Sequence, residues 1–164
     1  VENDYGSLHS CITLSIYNNE DTGITHDIIA EYLGISRKEA KIEALSFLNK
    51  EWQYMSHSPL YKYYLETRPE MMEKICKEKL EKGYKTIYKN NKKVLVENNY
   101  KKTSERLFNM ETKMMISAVK RLQREGIEVM YVFDALYSKD KDNKRVKKVM
   151  NEVANFYEVG TKAK

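Results

Sequence analysis

Helix-breaking residues are scarce in this chain. It has 6 glycines and 2 prolines among 164 residues, so tight turns are few and most of the chain should be helical. Cysteine is scarce too. Cys11 and Cys76 lie far apart, fit no metal or redox spacing, and read as buried thiols of a reducing compartment. The 3 histidines show no zinc-binding spacing, and Asp140 and Asp142 lack the glycine and terminal glutamate of a calcium loop. No apolar run approaches the length that crosses a membrane, and no signal peptide precedes the first motif. A cytoplasmic protein with no membrane partner is expected. The chain opens at Val1 without an initiator methionine, which points to a piece of a longer protein with further domains upstream.

What is present fits one folded domain. Hydrophobic residues make up 41% of the chain and charged residues 32%. The formal net charge of +5 and an isoelectric point near 9.0 favour a polyanionic partner. The 13 tyrosines and 1 tryptophan exceed what a small core uses. Some of these rings should be half-exposed, where they can stack on bases or sugars, although amphipathic packing accounts for any single one.

Residues 1–5 read as the end of a strand. Leu8, Cys11, Ile12 and Ile16 keep helical spacing; Ile12, Leu14 and Ile16 also alternate as in a strand, and helix is the preferred reading. Residues 18–23 are loop. Thr25 caps a short helix from His26 to Leu33, which Gly34 ends. Ser36 and Glu39 form a capping box for a helix expected to reach about Gln53. Ser58-Pro59 opens a helix through Tyr64, and Pro69 opens one through Glu81, ended by Gly83. The lysine- and asparagine-rich residues 84–101 form either a β-ribbon or an exposed loop. A long helix follows from Thr103 to Glu125, closed by Gly126. Ile127 to Asp134 and Ala135 to Ser138 are strands, Asp142 to Tyr157 is a last amphipathic helix, and residues 158–164 are a final strand. The fold class is α+β and mostly helical. Both chain ends build a small antiparallel sheet flanked by helices, and the middle is a helical insertion. The expected segments are 1–22, 23–102 and 103–164.

The most telling stretch runs from Val129 to Ser138. An apolar strand enters one carboxylate, Asp134, and continues apolar beyond it. An acid in such a run costs free energy unless it is paired or metal-bound. At a hairpin tip it is held rigidly, as a ligand for a divalent ion must be. Asp4 opens the chain in a compatible context. Nucleotidyl transfer needs two metal ions a few ångström apart, and carboxylates on adjacent strands suit them. Asp4 and Asp134 are therefore candidate ligands for two Mg²⁺ or Mn²⁺ ions. Arg37 and Lys41, at i and i+4 of one helix face, suit a triphosphate, and Lys41 can also give a proton to the leaving pyrophosphate. Asn49 lies two turns further along roughly that face. Lys85, Lys89, Lys92 and Lys93 suit a nucleic-acid backbone. Glu111, on the helix leading to the hairpin, either approaches the ions or makes a surface salt bridge. Singly, each residue has a plainer reading. Asp4 is then a solvated acid near a chain end, Arg37 and Lys41 a solvated helix face, Asp134 a turn residue, and the lysine run a solvated loop.

In this order, the set resembles the palm and fingers of the family A DNA polymerases and the single-subunit phage-type RNA polymerases. The family's motif A begins Asp-Tyr-Ser; here it is Asp4-Tyr5-Gly6-Ser7-Leu8-His9, closer still to the Asp-Tyr-Ser-x-Leu-His form of phage-related branches. Motif B is Arg-x3-Lys-x7-Tyr-Gly; here Arg37 and Lys41 match, and Asn49-Lys50 replace the tyrosine and glycine. Motif C is an apolar strand, His-Asp and further apolar residues; here it is Phe133-Asp134-Ala135-Leu136-Tyr137. The resemblance spans Asp4 to about Val153. It implies a DNA polymerase from a phage or mobile element, acting in the host-cell cytoplasm on a primer–template and nucleoside triphosphates. It also implies that the Tyr5 backbone carbonyl helps hold the metals, and that His9 and Asn49 line the sugar pocket. His9 stands where the DNA polymerases carry a glutamate that discriminates against ribonucleotides. The intervals between motifs are short, which implies trimmed fingers.

Two readings compete. Ile29 to Ser36 has the small residue, turn glycine and flanking aliphatics of a helix-turn-helix DNA reader without catalysis. Ala40 and the charged Glu43 do not suit its second helix, and a helix reaching Gln53 is too long for compact recognition. The other reading is a lysine-rich module that binds RNA or protein.

Overall fold

The computed structural model describes residues 1–81, 83–97 and 100–164. A short strand β1 (Glu2–Asp4) leads into α1 (Leu8–Asn18), then α2 (His26–Leu33), α3 (Arg37–Ser46), the single turn α4 (Trp52–Met55), α5 (Pro59–Thr67) and α6 (Pro69–Leu80). A hairpin of β2 (Tyr84–Lys89) and β3 (Lys92–Glu97) precedes the long α7 (Lys101–Arg124). Then come β4 (Val129–Val132), β5 (Ala135–Ser138) and α8 (Asn143–Phe156). The main sheet is antiparallel in the order β1-β5-β4, so the expected α+β class, with a sheet made from both chain ends, is what forms. Among the described residues no helix is long and apolar enough to cross a membrane.

Local chemistry explains most helix ends. Thr25 Oγ1 accepts the Ile28 N–H at 3.3 Å, and Gly34 takes the left-handed conformation that ends α2. The Ser36–Glu39 capping box starts α3. Pro59 and Pro69 occupy first turns, where the missing N–H costs nothing. Leu8, Ile12, Met114, Leu136, Val149 and Val153 belong to one core that joins the sheet, α1, α7 and α8. Each such side chain contributes about 1.5–3 kcal/mol by leaving water. The same cluster continues through Ile29, Ala40, Phe47 and Met71 of the middle helices.

Several boundaries differ from the sequence expectation. α3 stops at Ser46, and residues 47–49 wind as a tighter 3₁₀ turn, so no helix reaches Gln53. The reason is buried Lys79. Its ammonium donates to the carbonyls of Leu48 (2.8 Å), Lys50 (2.7 Å) and Tyr100 (3.0 Å), and Thr103 Oγ1 donates to Leu48 as well. Carbonyls held this way leave the helical path. Burial pulls the Lys79 pKa down to about 8, while the Glu78 charge opposes that and the Lys101 charge adds to it. Of the expected 84–101 segment, residues 84–97 form the ribbon rather than the loop, residues 98–99 lie outside the described residues, and Lys101 already begins α7. The expected last strand shrinks to one bridge, Tyr5 with Ala163, because the Thr161 N–H turns back onto the Val159 carbonyl at 2.8 Å. Cys11 is buried as expected, and Cys76 is only half-buried.

One partly buried ion pair ties the loop after α1 to the α5–α6 junction. Arg68 donates from Nε and a terminal nitrogen to both Glu20 oxygens at 2.7 Å, and Asn18 and Thr22 also donate to that carboxylate. These bonds, the Arg68 guanidinium above all, hold the Glu20 pKa down to about 2. A lowered folded-state pKa stabilises fully above the usual carboxylate value, and that stabilisation is lost as pH falls toward 2. Arg68→Ala should cost about 1.5–3 kcal/mol at neutral pH by chemical denaturation, as the loss of hydrogen bonds to a charged group implies. The gap from wild type should narrow at about pH 3. An equal gap at both pH values would mean that the pair does not act this way.

Candidate functional site

The two acids predicted from sequence lie at the same end of the sheet, Asp4 closing β1 and Asp134 just before β5. β1 pairs with β5 so that Asp4 lies opposite Ala135, one residue from Asp134. The Tyr5 N–H donates to the Asp134 carbonyl at 3.4 Å. β4 and β5 join through a two-residue turn, Phe133-Asp134, flanked by the Val132–Ala135 pair. Phe133 sits at φ 55, a conformation bulky residues rarely adopt, and is 79% exposed. The tip is thus a strained turn that aims Asp134 away from the core.

Asp4 and Asp134 line one open cavity of about 400 Å³ together with Tyr5, His9, Arg37 and Lys41. All the sequence-predicted site residues except Asn49 and the ribbon lysines come together there. Asn49 lies on the 3₁₀ turn, where its Nδ2 donates to the Leu45 carbonyl at 3.3 Å, so it seals the end of α3 instead of facing the cavity. The Tyr5 side chain is fully buried, its hydroxyl donating to the Met150 carbonyl at 2.6 Å. Only its backbone is available to a ligand. Lys85 is ion-paired with Glu105 at 2.9 Å, while Lys89, Lys92 and Lys93 cluster near the ribbon tip.

Glu111 is neither on the surface nor alone. Its Oε2 lies 2.6 Å from His9 Nε2, both side chains are mostly buried, and Phe108 packs edge-on against the His9 ring at 5.4 Å. Asp134 feels this acid. Burial raises its pKa, its own backbone N–H opposes that, the Glu111 charge raises it further, and His9 and Asp4 act in opposite directions. From α3, Arg37 Nε reaches the Asp27 carboxylate at 3.2 Å, an exposed pair that a phosphate can displace at little cost. Lys41, one turn along, makes no ion pair among the described residues. His26, buried at the start of α2, is held below its usual pKa by burial and then by Arg37 and Lys41.

Five lining residues were not legible as site residues: His26, Ala44, Leu45, Phe108 and Lys164. Leu45 and Phe108 carried a signal. Leu45 lies four residues after Lys41, and Phe108 three before Glu111, so each shares its neighbour's helix face. Lys164 stands over Gly6, where its Cε would meet any added Cβ, and only the chain's return to β1 brings it there.

The donor chemistry fits a hard divalent ion. Asp4, Asp134 and the Tyr5 carbonyl offer oxygens, and Mg²⁺ commonly takes one or two carboxylates plus substrate phosphate. Among the described residues no three His, Cys, Asp or Glu side chains converge as a ready-made cage. Because its folded-state pKa is raised, ionised Asp134 works against the fold. That penalty is absent at low pH and sets in as pH climbs through the raised value. Asp134→Asn should therefore raise the thermal midpoint of metal-free protein at neutral pH by about 2 °C. The advantage should vanish near pH 3. A lower midpoint at neutral pH would show that the carboxylate stabilises the tip instead.

Compared with known proteins, the chain matches no family model, and no curated protein matches it significantly.

Proposed function

We propose that this chain is the palm and fingers part of a template-directed nucleotidyltransferase, a DNA polymerase of the family A type, adding nucleotides to a primer 3′ end. The observation that carries this reading is the placing of Asp4, at the end of β1, and Asp134, in the turn before β5, in one cavity with Arg37 and Lys41. Acids suited to metal ions and cations suited to a triphosphate then share one cavity of about 400 Å³, within the size range of small-molecule sites.

Asp4, Asp134 and the Tyr5 carbonyl would hold two Mg²⁺ or Mn²⁺ ions. When bound, these supply the charge that activates the 3′-hydroxyl and offsets negative charge on the phosphates. The chain's own residues do the rest. Arg37 exchanges Asp27 for a phosphate oxygen. Lys41 neutralises the triphosphate and gives its proton to the departing pyrophosphate. His9, its ring fixed by Glu111 and Phe108, bounds the space for the sugar. Asn49 has no part in that space, being turned onto Leu45.

The helix-turn-helix reading gains one point, since α3 is 10 residues long and compact enough for a recognition helix. It loses a larger one. The α3 face that carries Arg37, Lys41 and Leu45 lines the open cavity that also holds the acid pair, so it is shared with the candidate site.

Lys41→Ala should weaken binding of a fluorescent nucleoside triphosphate about tenfold in Mn²⁺, as the loss of one charge-assisted hydrogen bond implies. Affinity for a primer–template duplex should change by less than about twofold. Asp134→Ala should abolish both Mn²⁺ binding and nucleotide binding. Duplex binding that falls in step with nucleotide binding, or nucleotide binding indifferent to Asp134, would sink the reading.

A further inference from the structure

The β2–β3 ribbon contributes no residue to the hydrophobic core. Its register puts Tyr84, Thr86 and Tyr88 on one face with Glu97, Leu95 and Lys93. On that face Tyr84 is 63% exposed, Tyr88 71% and Leu95 65%. The Lys93 ammonium lies over the Tyr88 ring, 6.0 Å from its centre. Lys89 and Lys92 pair across the tip on the opposite face. The two strands carry four lysines against one glutamate. A two-stranded ribbon with flat apolar rings left in water gains little from its own fold.

A partner must match rings and positive charge together. Single-stranded nucleic acid does so, with bases on the tyrosines and phosphates on the lysines. The spacing favours a single strand over a duplex. Four residues of strand separate the two rings by about 13 Å. Stacked bases lie only about 3.4 Å apart, so each ring takes its own base from an opened strand. The ribbon is also joined to the cleft. A second cavity at its base is lined by Tyr84, Lys85 and Lys102, and shares Phe108 with the cavity of Asp4 and Asp134.

We infer that the β2–β3 ribbon is an arm for single-stranded nucleic acid, with Tyr84 and Tyr88 stacking on bases and Lys89, Lys92 and Lys93 holding phosphates. The strand passes Phe108 to reach the cleft. That last connection rests on the polymerase reading; the binding itself does not.

Fluorescence anisotropy with short labelled oligodeoxythymidine and oligouridine, in EDTA and without nucleotide, tests it. Both rings are exposed, so their replacement leaves the fold intact. The double variant Tyr84→Ser, Tyr88→Ser should bind at least about tenfold more weakly, with an unchanged salt slope. Tyr84→Phe with Tyr88→Phe should restore binding. Replacing Lys89, Lys92 and Lys93 by Ala should reduce the salt slope by about 2. Polyphosphate carries charge without bases, and its binding should ignore the tyrosine changes. Oligonucleotide binding unmoved by the serine pair overturns the inference, and so does an equal loss toward polyphosphate or a preference for duplex. Comparing the two probes separates DNA from RNA. A parallel titration with nucleoside triphosphate and Mn²⁺ reads the cleft alone, so failure of the arm and failure of the cleft are told apart.

Discussion

The register between β1 and β5 is the constraint on which the rest depends. Side chains alternate along a strand, so a slip of one residue would turn Asp4 into the core and Asn3 out of it. Burial pins the register. Asn3 and Leu136 are paired and both fully buried on the inner face. Tyr5, the next residue, is locked by its hydroxyl bond to Met150 and by its bridge to Ala163. Asp4 therefore faces the cavity because its neighbours cannot leave the core.

The cleft keeps its acids at a cost. Asp134 is held at a turn whose first residue is strained, and its charge is opposed by burial and by Glu111. Strain and like-charge crowding persist only where the surrounding structure over-determines them, and they concentrate at functional sites. His9 offsets part of this by pairing with Glu111 and is held in turn by Phe108. The same cavity carries cations too, Arg37 and Lys41 on the α3 side and Lys164 beside Gly6, with Phe108 and Glu111 on the α7 side.

Lys79 links those sides at a distance. Its ammonium joins the carbonyls after α3 to the carbonyl of Tyr100 at the start of α7. α3 carries Arg37 and Lys41; α7 carries Phe108 and Glu111. A single buried charge thus ties together the two helices that wall the cleft, and in doing so ends α3 early.

Much of the secondary structure was legible because its signals are local. Thr25, the Ser36–Glu39 box, Pro59, Pro69 and the apolar run around Asp134 all act on residues within a turn or two. The composition likewise set a mainly helical fold, and the order of motifs paired the chain ends. The end of α3 was not legible, because Lys79 lies 31 residues beyond Leu48. The exclusion of Asn49 follows from that break, and the His9–Glu111 pair spans 102 residues. Sequence determined which acids and cations the chain could bring to a site, since those are choices of residue and spacing. Tertiary structure decided which of them share a cavity and which walls shape it, because that depends on contacts between segments whose separation along the chain carries no local signal.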